Sequence, residues 1–112
     1  MEVSESTKDN TKVLTIKGDI DLNHSPQLRE LLRGLIADKC PSLLIDFTNV
    51  QYIDSSGLAT FVEYYQGSRK YSGKVVMAGM TQRVRSVFDL VRLGEIFSIH
   101  DSVDEALTQL KV

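Results

Sequence analysis

The sequence is poor in the residues on which small catalytic or metal-bearing chains rely: among 112 residues it has one cysteine, two prolines, two histidines and no tryptophan. The lone Cys40 cannot close an internal disulfide, which fits a reducing compartment. One cysteine with the scattered His24 and His100 shows no ligand spacing, so neither a metal nor a cofactor is expected. No run approaches the roughly 18 apolar residues of a membrane span. The net charge of −2 gives no general attraction to nucleic acid or to an anionic membrane surface. Met1-Glu2-Val3-Ser4-Glu5 has neither the basic nor the apolar part of a secretory leader. The expectation is a cytoplasmic protein whose partners are neither nucleic acid nor membrane.

Enzymatic motifs are equally sparse. Gly18, Gly34, Gly57 and Gly67 are isolated and form no phosphate-cradling loop. Ser55 with Asp54 and either His24 or His100 would be the material of a hydrolase triad. The chain lacks a Gly-x-Ser-x-Gly elbow, however, and the histidines lie in distant segments. The reading is not an enzyme. Arg83, Arg85 and Arg92, with Arg69, Lys70 and Lys74 before them, read as a solvated helix face in a slightly acidic chain.

What the chain does have is the balance of a globular protein, 42% hydrophobic and 25% charged. Its length suits one domain, 1–112, able to bury roughly two-thirds of its unfolded surface. A weak strand at Val3 to Thr7 and a stronger one at Thr11 to Lys17 flank Lys8-Asp9-Asn10 and read as a hairpin. Ser25-Pro26 opens a helix as cap and first helical residue, and Leu28, Leu31, Leu32 and Leu35 share one face. Cys40-Pro41 stops that helix. Leu43-Leu44-Ile45 within Ser42 to Phe47 is the continuous apolar run of a strand covered on both sides.

A second helix is expected from about Ser56 to Tyr71 with Leu58, Phe61, Val62 and Tyr65 as its stripe; Tyr64 falls beside it, as a surface aromatic would. Gly73 ends this helix, and Lys74 to Ala78 forms a strand. Thr81 caps a third helix bearing Val84, Val87, Phe88 and Val91, which Gly94 terminates. Ile96 to Ile99 makes a last strand. Ser102 and Glu105 form a capping box for a final helix carrying Val103, Ala106, Leu107 and Leu110. Strand and helix alternate after the hairpin, so the fold class is α/β: a mixed, mostly parallel sheet of about five strands with about four flanking helices.

One junction stands out. Asp46 lies near the end of the apolar strand, and Asp54-Ser55-Ser56-Gly57-Leu58 puts two hydroxyls and a carboxylate at a helix N-terminus. Unsatisfied N–H groups and a partial positive charge there favour a capping oxygen and tolerate an added anion. Asp54 or Ser55 is a cap on this ground alone. Gly57 is expected to leave the backbone uncovered, so that a large partner can approach Ser55 and Ser56. Phosphate on Ser55 would add a charge of about −1.5 to −2 close to Asp54, and to Asp19 and Asp21 if the upstream turn lies nearby.

Asp54-Ser55-Ser56-Gly57-Leu58 resembles the signature of the STAS family, specifically the anti-sigma factor antagonists. Two further segments support the likeness: Gly18-Asp19-Ile20-Asp21-Leu22 with Ser25-Pro26-Gln27-Leu28, and Gly79-Met80-Thr81-Gln82-Arg83-Val84-Arg85 leading to Leu90-Val91-Arg92-Leu93-Gly94. The three keep the family's order and approximate spacing over nearly the whole chain. The resemblance implies the STAS mixed sheet, with Ser55 as phosphoacceptor and Ser56 not distinguished from it by sequence. It implies that Asp21 contacts the partner, and with Asp54 supplying acidic surface and Ser56 and Gly57 shaping the turn around Ser55, the expected partner-binding residues are Asp21, Asp54, Ser55, Ser56 and Gly57. The partners so implied are an ATP-dependent anti-sigma factor serine kinase, bound in the unphosphorylated state, and a serine phosphatase that resets the cycle. Ala59 and Asn23-His24 depart from the commoner pattern, and both lie close to the presumed docking surface. Two alternatives stay open: a STAS subunit of another assembly, such as a stress-sensing complex or a transporter, and a small-ligand sensor.

Overall fold

Side-chain alternation along the strands sorts the apolar residues into two clusters on opposite faces of one sheet. On the central strand, Leu43, Ile45 and Phe47 enter the larger cluster and Leu44 the smaller. Leu14 and Ile16 of the preceding strand join the first and Val13 the second; Met77 and Val76 divide likewise one strand further on. The continuous run at Leu43-Leu44-Ile45 is therefore covered on both sides.

The computed structural model describes residues 1–110; Lys111 and Val112, the end of the expected domain, lie outside the described residues. The elements are β1 (Glu2–Lys8), β2 (Thr11–Lys17), α1 (Ser25–Ala37), β3 (Ser42–Asn49), α2 (Ser55–Arg69), β4 (Lys74–Ala78), α3 (Gln82–Leu90), a 3-10 turn (Leu93–Glu95), β5 (Ser98–His100) and α4 (Val103–Leu110). The sheet has the order β1-β2-β3-β4-β5. Only the first pair is antiparallel; the other three are parallel. The hairpin closes through Asp9 and Asn10, both left-handed at φ 52° and 66°, residue types that accept this conformation at a tight turn.

The larger cluster draws on α1, α2 and α3, the three crossover helices, so all three lie on the same face of the sheet. Phe47 is its centre, with ring centroids 5.4 Å from Phe61 and 5.8 Å from Phe88. Ala106 and Leu107 of α4 cover Val13, Leu44 and Val76 on the other face.

Several expected boundaries move, each for a local reason. The second helix runs from Ser55 to Arg69 and not from Ser56 to Tyr71. Its exit uses a left-handed Ser72 (φ 62°), after which the Gly73 N–H donates to the Ser68 carbonyl at 2.8 Å. The third helix stops at Leu90, because Arg92 turns left-handed (φ 60°) and the 3-10 turn follows, with Gly94 inside it. Val91 is consequently half-exposed instead of buried, and β5 begins only at Ser98.

Tyr64 is the largest departure: it is 1% exposed, not a surface aromatic. The helix that carries it packs on α1 as well as on the sheet. Glu63 pairs with Arg33 at 2.7 Å, and a Cβ on Gly67 would lie 2.6 Å from Ile36 Cδ1. Two contacting surfaces widen the buried arc to include Gly57, Thr60, Tyr64 and Ser68 beside Leu58 and Phe61.

Candidate functional site

The loops that follow β2 and β3 are stitched together by their backbones. Gly18 N–H donates to the Asn49 carbonyl at 3.0 Å, Ile20 N–H to Tyr52 at 2.9 Å, and Asp54 N–H to Ile20 at 3.2 Å. Ile20 and Ile53 form a parallel bridge and are both buried, which prolongs the sheet by one step and fixes the loops against each other. The sequence-distant segments around Asp21 and Asp54 thereby become neighbours.

Asp54 is the N-cap of α2, extended at φ −113° and ψ −174°. Its Oδ1 accepts the Ser56 and Gly57 N–H groups at 3.0 and 3.3 Å and the Ser56 hydroxyl at 2.6 Å. Its Oδ2 accepts the Leu22 N–H at 3.1 Å. The Ser56 hydroxyl, aided by the backbone donors of Gly57, Ser56 and Leu22 and opposed by partial burial, holds the Asp54 carboxyl below the usual carboxylate range. Asp54 thus caps a helix and clamps the neighbouring loop with one ionised group.

Asp21 is organised in the same manner. Its Oδ1 accepts the N–H groups of Asn23 at 3.0 Å and His24 at 3.2 Å, and lies 2.7 Å from His24 Nδ1. This Asx turn replaces the cap expected at Ser25. The residue before α1 is His24, whose side chain makes no cap bond, and Ser25 itself is buried at 3% exposure. Asp19 is exposed on the same loop. Asp46 stands apart from this arrangement, its carboxylate accepting the Thr48 N–H at 2.9 Å.

The two serines differ in a way the sequence did not reveal. Ser56 is partly buried with its hydroxyl given to Asp54. Ser55, the first residue of α2, is exposed, and no hydrogen bond among the described residues occupies its hydroxyl. Gly57 reverses its expected role. It is buried, and a Cβ there would lie 2.7 Å from Ile20 Cγ2, 2.9 Å from Ile53 Cγ1 and 3.2 Å from the Ile20 carbonyl. The missing side chain lets α2 approach the bridging isoleucines; it does not open a path for a partner.

An exposed apolar group outside the expected site residues accompanies them. Leu22 is 72% exposed while its N–H is tied to Asp54, and Tyr52 on the adjoining loop is 43% exposed. The only available signal was an apolar residue between two turn formers. His24 is turned to Asp21, and His100 Nε2 lies 3.0 Å from Ser98 Oγ, so neither ring is bonded to Ser55. Among the described residues no group of three His, Cys, Asp or Glu side chains could hold a metal ion, and no helix is long and apolar enough to cross a membrane.

Likeness to known proteins extends over nearly the whole chain. The family model described as the STAS domain matches residues 3–106. An anti-sigma-B factor antagonist of Listeria monocytogenes is 29% identical over 99 residues, 88% of this chain and 86% of the relative. The crystal structure of an anti-sigma factor antagonist from Mycobacterium paratuberculosis superimposes with a TM-score of 0.88 at 27% identity, covering 99% of this chain and 94% of that one. A Thermotoga maritima protein reaches a TM-score of 0.92 at 16% identity, over 98% of this chain and 95% of its own, a likeness of fold.

Proposed function

The chain belongs to the STAS domain family, and from that premise we propose that it acts as an anti-sigma factor antagonist, a phosphorylation-gated binding module of the cytoplasm and not an enzyme. Its unphosphorylated form sequesters an anti-sigma factor serine kinase and so frees a sigma factor. Residues 1–112 act as one such domain. The observation that carries the reading is the exposed Ser55 hydroxyl at the first position of α2, beside an Asp54–Ser56 pair that is already satisfied. The Listeria relative bears the name of such an antagonist.

The chemistry is a transfer made by the partner. The Ser55 oxygen attacks the γ-phosphorus of the kinase's ATP, ADP leaves, and the hydroxyl proton passes to a base on the kinase. Because the acceptor must lie in line with the γ-phosphate, the new phosphoserine is formed against the phosphates of ADP. Its charge of about −1.5 to −2 faces like charge there, and such juxtaposition costs several kcal/mol at an interface, where about 1.4 kcal/mol is tenfold in affinity. The complex therefore comes apart. Within the free protein the same charge sits at the N-terminus of α2, which stabilises anions, so the fold tolerates it. A serine phosphatase returns the hydroxyl by hydrolysis.

The test is binding and transfer with Ser55 variants. Ser55→Ala retains the kinase and takes no phosphate; Ser55→Asp binds it more weakly. Equal affinity of the two variants for the kinase contradicts the gate.

A further inference from the structure

Both carboxylates assigned to the docking surface are engaged inside the chain. Asp21 receives two N–H groups and the His24 ring, and Asp54 receives three N–H groups and a hydroxyl. What this set of bonds holds outward is Leu22. Its backbone is fixed at 3.1 Å from Asp54 Oδ2, one residue from Ser55, while its side chain is 72% exposed. Asp21 begins the turn from the other side of Leu22, so the loop is pinned at both ends. A turn built this firmly around an unburied isobutyl group has no use for that group in its own core.

The surroundings specify what could cover it. From Gly18 to Leu28 and from Asp46 to Ser68 the chain has no lysine or arginine, while Asp19, Asp21 and Asp54 lie on the two stitched loops. An apolar knob flanked by carboxylates is complementary to an apolar pocket with cations at its rim. The other exposed leucine, Leu90 at 83%, lies at the end of α3 and has no such setting.

We propose that Leu22 is the apolar anchor of the kinase-docking surface beside Ser55, entering a pocket of the partner rimmed by lysine or arginine, and that Asp21 and Asp54 are positioning residues that hold it there. This rests on the proposed antagonist function and assigns its recognition to a residue outside the phosphorylation motif. Burial of one leucine side chain accounts for about tenfold or more in affinity. Because the anchor acts in binding and not in the transfer, its loss raises the KM of the kinase for this protein and leaves kcat alone.

The experiment measures the initial rate of phosphate transfer from [γ-32P]ATP in a lysate of the source cells, with the purified protein varied in concentration and a known kinase substrate as the lysate control. Leu22→Ala is expected to raise KM about tenfold or more with kcat within about twofold, Leu22→Met to restore KM, and Leu90→Ala to match the wild type. Asp54→Ala is expected to raise KM as well, with little further increase when Leu22→Ala is added, since both remove one anchor. Thermal melts of each variant establish that it is folded. A labelled wild type with an unchanged KM in Leu22→Ala overturns the anchor and leaves the antagonist reading standing. Additive effects of Asp54→Ala and Leu22→Ala overturn the positioning role. No label on the wild type, with the control substrate labelled, overturns both the anchor and the function it rests on.

Discussion

The Asp54 carboxylate takes the Ser56 hydroxyl at 2.6 Å, while Ser55, between them in the chain, leaves its own hydroxyl in solvent. Two neighbouring serines are thereby given different work. Ser56→Ala removes a hydrogen bond to a charged acceptor and is expected to lower stability by about 1.5–3 kcal/mol. Ser55→Ala, at an exposed site without that bond, is expected to stay within about 0.5 kcal/mol of the wild type. Urea unfolding of both variants checks the difference; equal losses would contradict the assignment.

Gly57→Ala places a methyl group against Ile20 Cγ2, Ile53 Cγ1 and the Ile20 carbonyl, all at 3.2 Å or less. In an exposed helix this exchange stabilises by roughly 0.5–1 kcal/mol. Here the backbone contact cannot swing aside, so a net loss of about 1–3 kcal/mol is expected in the same unfolding measurement. A gain would show that α2 can retreat from the bridging isoleucines.

Tyr64 and Tyr71 bury their hydroxyls, and among the described residues neither makes a well-formed hydrogen bond; burial first, then the neighbouring Tyr71 hydroxyl and Cys40, raises the Tyr64 phenol above its usual range, and burial raises that of Tyr71. A raised folded value means that the associated stability is intact below the ordinary phenol pKa of about 10 and is lost as pH rises beyond it. Tyr64→Phe is expected to be neutral or stabilising at pH 8, by up to about 1–3 kcal/mol, since it deletes a buried hydroxyl that makes no well-formed hydrogen bond among the described residues. It should also lose less stability than the wild type between pH 9 and about 11. Chemical unfolding at several alkaline pH values reads both effects; a large loss at pH 8 would reveal an essential hydroxyl.

For Asp54 the sign is opposite. Its folded pKa is depressed, chiefly by the Ser56 hydroxyl, so its contribution is present above the ordinary aspartate value of about 3.9 and is lost as pH falls through the lower folded value. Asp54→Asn is expected to be less stable than the wild type at neutral pH, and the gap is expected to shrink below about pH 4. Thermal melts from pH 7 to 3 follow it; a gap independent of pH would deny the carboxylate this role.

Much of the architecture was written locally. Thr11–Lys17 and Lys74–Ala78 emerge as read, because β-branched and apolar runs between turn formers leave little choice. Thr81 caps as expected, its hydroxyl accepting the Val84 N–H at 3.2 Å, and Ser102 accepts from Glu105 N–H at 3.1 Å. What a single segment could not disclose was contact between segments. Tyr64 is buried because α1 lies across α2, and Gly57 is required by Ile20, thirty-seven positions earlier. The division of labour between Ser55 and Ser56 likewise depends on where the Asp54 carboxylate turns, which is set by Leu22 from another loop. Left-handed Ser72 and Arg92 end their helices where glycines two residues or fewer away had been expected to do so, since a tight exit needs the conformation and not the residue type.

The most direct test of the gate is phosphate transfer from labelled ATP in a lysate of the source cells, comparing the wild type with Ser55→Ala and Ser56→Ala. The account predicts label on the wild type and on Ser56→Ala, and none on Ser55→Ala. Label that persists in Ser55→Ala, or a wild type left unlabelled where a known kinase substrate is labelled, would contradict it.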